Sequence, residues 1–338
     1  MLALQIVLLL VGFVLLVKGA DWFVDGSAGV AEKCKIPTLV IGLTVVAFGT
    51  SAPELAVSVT SAIKQSTDIA IGNVVGSNIV NVLLILGLSA LLHTLPVQKS
   101  SLILDLPVLL LASALLVGLG VWGNSVTWWD GLILLAVFAV YMFILLRGAR
   151  KEIKAAAALE KQVPAGQIEE TEQKEEPKGK FARWYAAMKE KTWFLVVLVV
   201  IGLSMVVGGG TLLVDAAKYI ATYFGVSERI IGLTVVAIGT SLPELVTSVI
   251  AAIKGETDIA VGNIIGSNIF NIFLVAGVSS LFYPLAFTSG NLVDACVALG
   301  AAVLLLVLSL FKGHKLGKIS GGIMVASFIG YYVYLFLV

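Results

Sequence analysis

Two glutamates lie inside apolar stretches of this sequence, and each follows a pair of hydroxyl side chains. The hydroxyls stand four and three residues before the glutamate, so all three side chains share one face of an α-helix. Carboxylate and hydroxyl oxygens together suit a hard cation. The residues are Thr50, Ser51 and Glu54 in the first group, and Thr240, Ser241 and Glu244 in the second.

A row of amide and hydroxyl side chains follows each glutamate on the next apolar stretch. Its members are four residues apart, which places them on one helical face. Calcium takes six to eight oxygen ligands, and neither stretch contains the Cys or His that softer metals prefer. The four short rows therefore predict an all-oxygen cation site. The added residues are Asn73, Ser77 and Asn81, and their counterparts Asn263, Ser267 and Asn271.

No basic side chain of these stretches can neutralise the glutamates. Lys and Arg are absent from residues 36–63, 65–98, 230–253 and 255–311. An ionised carboxylate inside a membrane span costs about 2.5–3.5 kcal/mol on insertion scales. The carboxylates must therefore be protonated or meet a cation from outside the protein, and a bound metal ion is the most economical partner.

A proline next to each glutamate interrupts the helix that carries it. Pro53 and Pro243 have no N–H group, so the carbonyls of Gly49 and Gly239 lose their helical partner. Irregular backbone inside a membrane is tolerated where it lines a cavity. The freed carbonyls are therefore candidate ligands.

The two motifs belong to an internal repeat. Residues 41–81 match residues 231–271 without a gap, and 29 of the 41 positions are identical at a constant offset of 190. The matched positions are disproportionately polar. Since polar groups are costly in hydrocarbon, we attribute the similarity to function and not only to packing.

The composition is that of a membrane protein. Of 338 residues 59% are hydrophobic and 13% are charged, against about 45–50% and about 25% in soluble domains. This excludes a soluble globular protein. At about 20 residues a span, the apolar stretches predict ten transmembrane helices. They cover residues 2–31, 37–64, 67–92, 99–120, 126–147, 193–224, 227–254, 257–282, 288–312 and 317–338.

A polar insert divides the ten spans into two halves. We predict a first five-helix repeat over residues 1–147, a cytoplasmic linker over 148–192, partly helical or disordered, and a second five-helix repeat over 193–338. Five spans separate the two motifs, and five is odd, so the second repeat enters the membrane from the opposite face. The fold class is an all-α polytopic membrane protein of two inverted repeats, with the motifs near the bilayer midplane.

The basic residues predict the orientation. Eleven of the 22 Lys and Arg residues lie in the insert region from Arg147 to Lys191. With this insert in the cytoplasm, eighteen basic residues fall inside and three outside, as the positive-inside rule requires. The linker is then cytoplasmic and both termini are outside. The three outside residues are Lys64, Lys218 and Arg229.

At these motifs the sequence resembles the alpha repeats of the cation/calcium antiporter superfamily, most closely its sodium/calcium exchanger branch. The resemblance implies that Glu54 and Glu244 ligate calcium, and that the backbone carbonyls of Ala47 and Ala237 join them. It also implies a set of hydroxyls that serve calcium or sodium. These are Thr50, Ser51, Ser77, Thr240, Ser241 and Ser267.

Two departures bear on the coupling ion. Some family members, potassium-dependent exchangers among them, carry an acidic residue where this chain has Asn81 or Asn271. Calcium/proton exchangers usually have a glutamate just after a Gly-Asn pair, and here none follows. The resemblance therefore favours sodium as the coupling ion. The insert is too short for the calcium-sensing domains of animal exchangers.

We therefore expect a secondary antiporter, and not an enzyme, that exchanges calcium for sodium by alternating access. The resemblance implies that more than two sodium ions move per calcium ion, which makes transport electrogenic. Its partners would be calcium, sodium and the lipid bilayer of a prokaryotic inner membrane, with no cofactor. A net charge of +1 gives no reason to expect nucleic acid. A calcium/proton antiporter and a cation channel are the alternatives. An intramembrane hydrolase would need a base beside Ser51 or Ser241, and neither matched stretch, 41–81 or 231–271, has a histidine.

Several aspartates lie near predicted helix ends. Asp25 and Asp215 could attract cations at a vestibule, but we expect solvation at a helix end or, for Asp25, pairing with Lys18. Asp105 and Asp294 are expected to anchor helices at the membrane interface. Thr67 with Asp68, and Thr257 with Asp258, are expected to cap helices.

Two further expectations concern helix packing. The long, glycine-containing first and sixth spans are candidates for a sliding element. Close helix packing is expected at Gly72, Gly76, Gly262 and Gly266.

Overall fold

The computed structural model describes residues 2–160, 185, 187–225, 237–311 and 313–337. The first half has α1 Leu2–Cys34, α2 Thr38–Thr50, α3 Ala52–Ile63, α4 Thr67–Leu92, α5 Ser101–Gly123 and α6 Trp128–Glu160. The second half has α7 Thr192–Tyr223, α8 Ala237–Gly239, α9 Leu242–Ile253, α10 Thr257–Phe282, α11 Ser289–Leu310 and α12 Lys318–Leu337.

The long helices follow the predicted spans. Eight are long and apolar enough to cross a membrane, and α2 with α3 forms a further span that bends by 46°. Much of the linker, the start of the second motif from residue 231, Arg229 and Lys312 lie outside the described residues. The first helix ends later than predicted, and α6 runs past the predicted end at 147 because the Ala, Lys and Glu residues that follow favour helix.

Two short strand pairs fix which loops share a membrane face. β1 Leu95–Pro96 pairs antiparallel with β4 Lys315–Leu316, and β2 Ser125–Val126 pairs with β3 Leu285–Ala286. Paired loops must be separated by an even number of membrane crossings. The number of crossings between β1 and β4, and likewise between β2 and β3, is even only if the segment ending in α9 crosses the membrane. The ten-span interpretation requires the same crossing. The linker adjoins the β1–β4 face, which we call the linker face; the other is the opposite face.

Proline causes the break between α2 and α3. Pro53 lies in the first turn of α3, where the missing N–H group costs nothing to the new helix. Ser51 separates the two helices with φ −84° and ψ 4°. The second repeat has the same arrangement, with Pro243 in the first turn of α9 and Ser241 before it at φ −88° and ψ 5°.

The helices that carry the Asn and Ser rows form the centre of the molecule. In their most apolar windows, 78% of the residues of α4 and 94% of those of α10 are buried, against 17–33% for the other long helices. Both central helices contain a π-helical turn, Val80–Leu86 in α4 and Asn271–Ala276 in α10. The polar rows therefore face protein and not lipid.

The long, glycine-containing helices α1 and α7 pack against each other. A Cβ at Gly12 would lie 2.8 Å from the carbonyl oxygen of Gly209, and a Cβ at Gly19 would lie 2.8 Å from that of Gly202. The backbones of α1 and α7 thus meet where side chains are missing, as small residues permit in membrane helices. These are the first and sixth spans of the sequence analysis.

The expected glycine packing on the central helices is confirmed for α10. A Cβ at Gly262 would lie 2.9 Å from the Leu39 carbonyl oxygen, and one at Gly266 would lie 2.9 Å from that of Leu43. At the corresponding Gly72 and Gly76 no described atom lies within 4 Å of the added Cβ. The counterparts of Leu39 and Leu43 fall within 226–236, outside the described residues.

The capping predicted at Thr67, Asp68, Thr257 and Asp258 is wrong. Neither α4 nor α10 has a side-chain cap. The aspartates instead accept side-chain hydrogen bonds across the structure. Asp68 accepts from Asn291 at 3.2 Å, and Asp258 accepts from Gln98 at 2.6 Å. Asn291 and Gln98, which are far away in sequence, donate to these aspartates in place of the backbone N–H groups of the aspartates' own helices.

Interfacial anchoring is also wrong for Asp105, which is 1% exposed. The Tyr141 hydroxyl donates to its Oδ1 at 3.0 Å. In the second repeat the Tyr331 hydroxyl donates to Asp294 at 2.8 Å. Each aspartate thus joins two helices of its own repeat, because a tyrosine on the following helix supplies the hydrogen bond that burial demands.

Lys18 does not pair with Asp25 as expected. It lies 3.6 Å from Asp21 instead. Asp25 pairs with two other lysines, Lys189 at 2.6 Å and Lys254 at 2.7 Å. One belongs to the segment before α7 and the other follows α9, so the end of α1 is tied to distant parts of the chain.

Candidate cation site

The site lies where the two broken helices meet α4 and α10. The breaks place Thr50 and Ser51 at the end of α2 and Glu54 in the first turn of α3. Ser241 and Glu244 hold the same positions before and within α9. Both glutamates are 0% exposed, and each lies in a helix N-terminal turn, where free backbone N–H groups favour negative charge.

Side chains of the first motif reach the carboxylate of the second. The Ser51 hydroxyl donates to Glu244 Oε1 at 3.0 Å, and Ser267 lies 3.5 Å from the same oxygen. Glu244 Oε2 has no hydrogen-bond partner within the described residues. The two motifs, 190 residues apart in sequence, therefore form one site.

Glu54 is less satisfied than Glu244. Neither of its carboxylate oxygens has a hydrogen-bond partner in the part of the chain that the structure describes. Glu244 and the Ser241 hydroxyl are the groups of the second motif that act on its charge. The Ser241 and Ser77 hydroxyls are themselves buried and have no hydrogen-bond partner among the described residues. A buried cluster of unpaired oxygens requires a compensating group.

The amides of Asn73 and Asn263 connect the two motifs. Asn263 donates to Ser248 at 2.9 Å, and its Oδ1 accepts from Thr50 at 3.0 Å. Asn73 donates to Ser58 at 2.8 Å, and its Oδ1 accepts from Thr240 at 3.4 Å. In both cases a serine one helix away holds the amide nitrogen, so that the amide oxygen faces the threonine of the other motif.

The backbone also contributes oxygens. The Ala47 carbonyl lies 3.5 Å from the Ser267 hydroxyl and 3.4 Å from the Thr50 hydroxyl. It thus belongs to the same oxygen cluster as Glu244. Ala237 begins α8 at the matching place of the second repeat. No contact of Ala237 with the carboxylates is described.

Asn81 and Asn271 lie further along α4 and α10 and make no described contact with the carboxylates. Asn81 donates to Asn268 Oδ1 at 2.9 Å. Both side-chain polar atoms of Asn271 are buried without a partner among the described residues. Asn81 thus belongs to a neighbouring amide cluster, whereas no described contact assigns Asn271 to a cluster.

The sequence analysis missed two members of that amide cluster. Asn268 donates to the Asn78 carbonyl at 3.2 Å, and Asn78 donates to the Asn268 carbonyl at 3.4 Å. These reciprocal bonds join α4 and α10 directly. Their identity in both repeats was available as a signal, but they stand one position outside the four-residue series.

The geometry therefore unites most of the predicted oxygen donors and supplies no counter-charge. Within the described residues no Lys or Arg forms an ion pair with either glutamate. Two carboxylates among neutral oxygens make a site of formal charge −2, which one divalent or two monovalent cations would neutralise. The residues in reach of one another are Thr50, Ser51, Glu54, Asn73, Thr240, Ser241, Glu244, Asn263, Ser267 and the Ala47 carbonyl.

Known proteins with similar sequences include a sodium/calcium exchanger, a putative antiporter and an inner membrane protein. The family model described as "Sodium/calcium exchanger protein" matches residues 4–147 and 194–337. The sodium/calcium exchanger MaX1 of Methanosarcina acetivorans is 33% identical, and the match covers 100% of both chains. The putative antiporter CaxA of Alkalimonas amylolytica is 38% identical over 98% of both chains. The inner membrane protein YrbG of Escherichia coli is 37% identical over 82% of this chain and 79% of its own.

Solved structures give the same result for the fold. The sodium-calcium exchanger NCX_Mj, soaked with 2.5 mM Na+ and 0.1 mM Ca2+, superposes with a TM-score of 0.81. It is 32% identical, and the match covers 98% of this chain and 99% of that one. Together with the family match over both halves, this likeness leads to one conclusion. The chain belongs to the sodium/calcium exchanger family.

Proposed function

We propose that this chain is a secondary antiporter that exchanges calcium for sodium by alternating access. As a member of its family it is a transporter and not an enzyme. The observation that carries the proposal is the cluster of buried oxygens around Glu54 and Glu244. Three of their four carboxylate oxygens have no hydrogen-bond partner within the described residues.

The charge of the site explains why the two ions would be coupled. One calcium ion neutralises two carboxylates, and sodium ions need several positions to do the same. An unloaded site leaves two buried charges without compensation, which is costly in a low-dielectric interior. The unloaded protein therefore does not reorient, and calcium moves in one direction only when sodium moves in the other.

The ligand assignment follows the geometry. Calcium would bind between Glu54 and Glu244 with hydroxyl and carbonyl oxygens completing its shell. Sodium would use overlapping sets, with Ser51, Ser77, Ser241 and Ser267 as hydroxyl ligands. The names of MaX1 and NCX_Mj support sodium as the coupling ion.

A calcium/proton antiporter is the second candidate. It is favoured by one observation, that the buried carboxylates have no cationic side chain beside them and could carry protons instead. The relative CaxA, named only as an antiporter, is compatible with either ion. A cation channel would use the same oxygens, but buried carboxylates within two inverted motifs favour a site exposed to one face at a time.

The test is calcium uptake into proteoliposomes under one imposed gradient at a time. Outward sodium should drive calcium uptake against its own gradient, and proton or potassium gradients of equal size should not. Calcium uptake driven by a proton gradient alone would contradict sodium coupling and support the calcium/proton antiporter. Single-channel currents in planar bilayers would contradict antiport altogether.

The proposal also includes an orientation and a location. The linker lies in the cytoplasm, both termini lie outside, and the membrane is the inner membrane of a prokaryote, as the name of YrbG suggests for that relative. Labelling of Lys64→Cys and Lys33→Cys by a membrane-impermeant maleimide tests it in intact cells, in a background without Cys34 and Cys296. Only the cysteine at position 64 should react.

A further inference from the structure

One lysine fastens α1 to the second motif at the linker face. Lys254 ends α9, and its ammonium lies 2.6 Å from Asp21 and 2.7 Å from Asp25. It also donates to the Asp21 carbonyl at 2.8 Å. The side chains are 22–34% exposed, so the charges are partly screened by solvent.

The repeat supplies a counterpart for this lysine and for one of its carboxylates. At the offset of 190 residues, Lys254 corresponds to Lys64, which ends α3, and Asp25 corresponds to Asp215 on α7. Both counterparts lie toward the opposite face. Neither has an ion pair or a side-chain hydrogen bond in the described portion of the chain, and both are exposed.

Helix packing has the same asymmetry. Helix α1 packs along α9, whereas the corresponding pair, α7 and α3, makes no comparable contact. All four helices lie within the described residues. Two segments related by the repeat therefore have different surroundings, closed at the linker face and apart at the opposite face.

We propose that Lys254 with Asp21 and Asp25, and Lys64 with Asp215, are two latches that close alternately on the two faces of the membrane. The proposal rests on the alternating access of the proposed function. The structure has the linker-face latch closed. In the other state, each repeat has the surroundings that its counterpart has in this structure. Lys64 then pairs with Asp215, and Lys254 no longer pairs with the aspartates of α1.

The latches have a simple energetic role. Each joins a cation at the end of a motif helix to a carboxylate on α1 or α7, and both partners keep some contact with water. Such pairs are weak enough to exchange during transport. Lys189 also lies 2.6 Å from Asp25, so removal of the Lys254 charge weakens the closed state at the linker face without leaving Asp25 unpaired.

Side-dependent calcium affinity tests this. Only molecules open to a face bind calcium from that face, so a latch mutation alters the apparent affinity through the open population. Lys254→Gln should strengthen apparent calcium binding at the linker face and weaken it at the opposite face, by about threefold to fivefold. Lys64→Gln should change both in the reverse directions.

Lys33→Gln is the matched control. It removes the same charge at the same face, and within the described residues Lys33 pairs with Glu190 at 2.8 Å, in the segment before α7, and not with a carboxylate of α1. It should leave both affinities unchanged. Equal effects of Lys33→Gln and Lys254→Gln, or changes of one sign on both faces, would overturn the proposal, because either result indicates general loss of charge or of stability.

A charge exchange tests the pair that this structure holds apart. Lys64→Asp alone should change the affinities as Lys64→Gln does. The double variant Lys64→Asp with Asp215→Lys should restore them, since the opposite charges meet again in the state closed at the opposite face. A double variant no better than the single one would remove that latch from the proposal.

Calcium self-exchange is the appropriate assay. Radioactive calcium exchanging for unlabelled calcium in right-side-out and inside-out membrane vesicles needs no coupling ion. If sodium fails to drive calcium uptake while the latch variants behave as stated, the proposed function fails and the latches stand. If sodium drives uptake and the variants do not differ, the latches fail alone.

Discussion

At the scale of single residues, the two carboxylates differ in how the protein satisfies them. Glu244 accepts from Ser51 and lies near Ser267, whereas Glu54 has no hydrogen-bond donor among the described side chains. Glu54 therefore depends more on a bound cation for compensation. The asymmetry is surprising for a repeat with identical motifs, and it follows from the different surroundings of the two repeats.

Replacing either glutamate tests this dependence. We expect Glu54→Gln and Glu244→Gln each to reduce sodium-driven calcium uptake by at least about a hundredfold, because a neutral amide removes half of the charge of the site. Glu54→Gln should raise the thermal unfolding temperature of the ion-free protein in detergent. Asp105→Asn is the control, a buried carboxyl bonded to Tyr141 outside the site. Its effect on ion affinity should be small.

Ser248 acts through the amide that it holds. It accepts from Asn263 Nδ2, which leaves Asn263 Oδ1 directed at Thr50. We expect Ser248→Ala to weaken apparent calcium affinity by about threefold to tenfold, since the amide loses one fixed hydrogen bond. Ser204→Ala removes a hydroxyl that bonds only its own helix, at the Val200 carbonyl, and should behave as wild type. Equal affinities for the two variants would contradict the positioning role.

Glu256 provides a pH-dependent contribution to stability outside the membrane spans. Burial and the charges of Asp25 and Asp258 raise its pKa above the ordinary value, and Lys254 acts in the other direction. Ionisation is thus harder in the folded protein than in the unfolded one. Its destabilising effect is absent below the ordinary pKa and grows as the pH rises through the raised pKa.

Glu256→Gln should therefore raise the unfolding temperature in detergent at pH 7 and leave it unchanged near pH 4. Gln98→Glu is unsuitable as a control because Gln98 donates to Asp258, one of the carboxylates that raise the pKa of Glu256. Glu152→Gln, on the exposed part of α6, changes the same charge at the same face. An equal stabilisation by both substitutions would mean that net charge, and not burial of Glu256, is responsible.

At the scale of secondary structure elements, the contact between α1 and α7 is made by backbone. Glycines on both helices let the chains approach within van der Waals distance over several turns. This close approach holds the two helices against each other, as small residues do in membrane helix pairs. This packing fits two helices that move together past the four helices of the two motifs.

Adjacent glycines on α7 allow a matched test of that contact. A Cβ at Gly209 would lie 2.7 Å from the backbone nitrogen of Leu16, whereas at Gly208 no described atom lies within 4 Å. We expect Gly209→Ala to lower the unfolding temperature and the uptake rate, because α1 and α7 must separate. Gly208→Ala should leave both unchanged. The calcium affinity should fall less than the uptake rate, because the candidate cation site lies outside the contact between α1 and α7.

At the scale of the whole molecule, the charge carried per cycle depends on both repeats. If more than two sodium ions exchange for one calcium ion, as the resemblance implies, net positive charge moves with sodium. Sodium-loaded proteoliposomes should then take up calcium faster at an inside-positive potential. For one net charge, the equilibrium calcium ratio should change about tenfold per 60 mV.

Potassium gradients with valinomycin set the potential in this experiment. A second set of vesicles should receive the same potential from an anion gradient, without potassium. Because potassium coupling is not expected here, calcium uptake in the two sets should be equal. Uptake that ignores the potential at saturating sodium would mean that two sodium ions exchange for one calcium ion. Uptake that follows potassium but not the potential would indicate a third transported ion.

The sequence by itself determined the membrane class and the two repeats, and it predicted ten spans and most of the residues that the structure brings together around Glu54 and Glu244. Eight long helices and one bent pair of those spans are described. These properties depend on local composition, helical spacing and the cost of charge in hydrocarbon, all of which can be evaluated one segment at a time. Even the pairing of the motifs followed from counting crossings, without knowledge of any contact. The ligand roles of the individual residues stay predictions.

Only the tertiary structure decided which groups meet across the repeats. Ser51 binds the carboxylate of the other motif, Asn78 and Asn268 join the central helices, and Asp68, Asp105 and Asp258 find distant donors instead of capping or anchoring helices. A polar side chain satisfies itself with whichever partner packing places nearest. That choice belongs to neighbours far away in sequence, which local spacing does not specify.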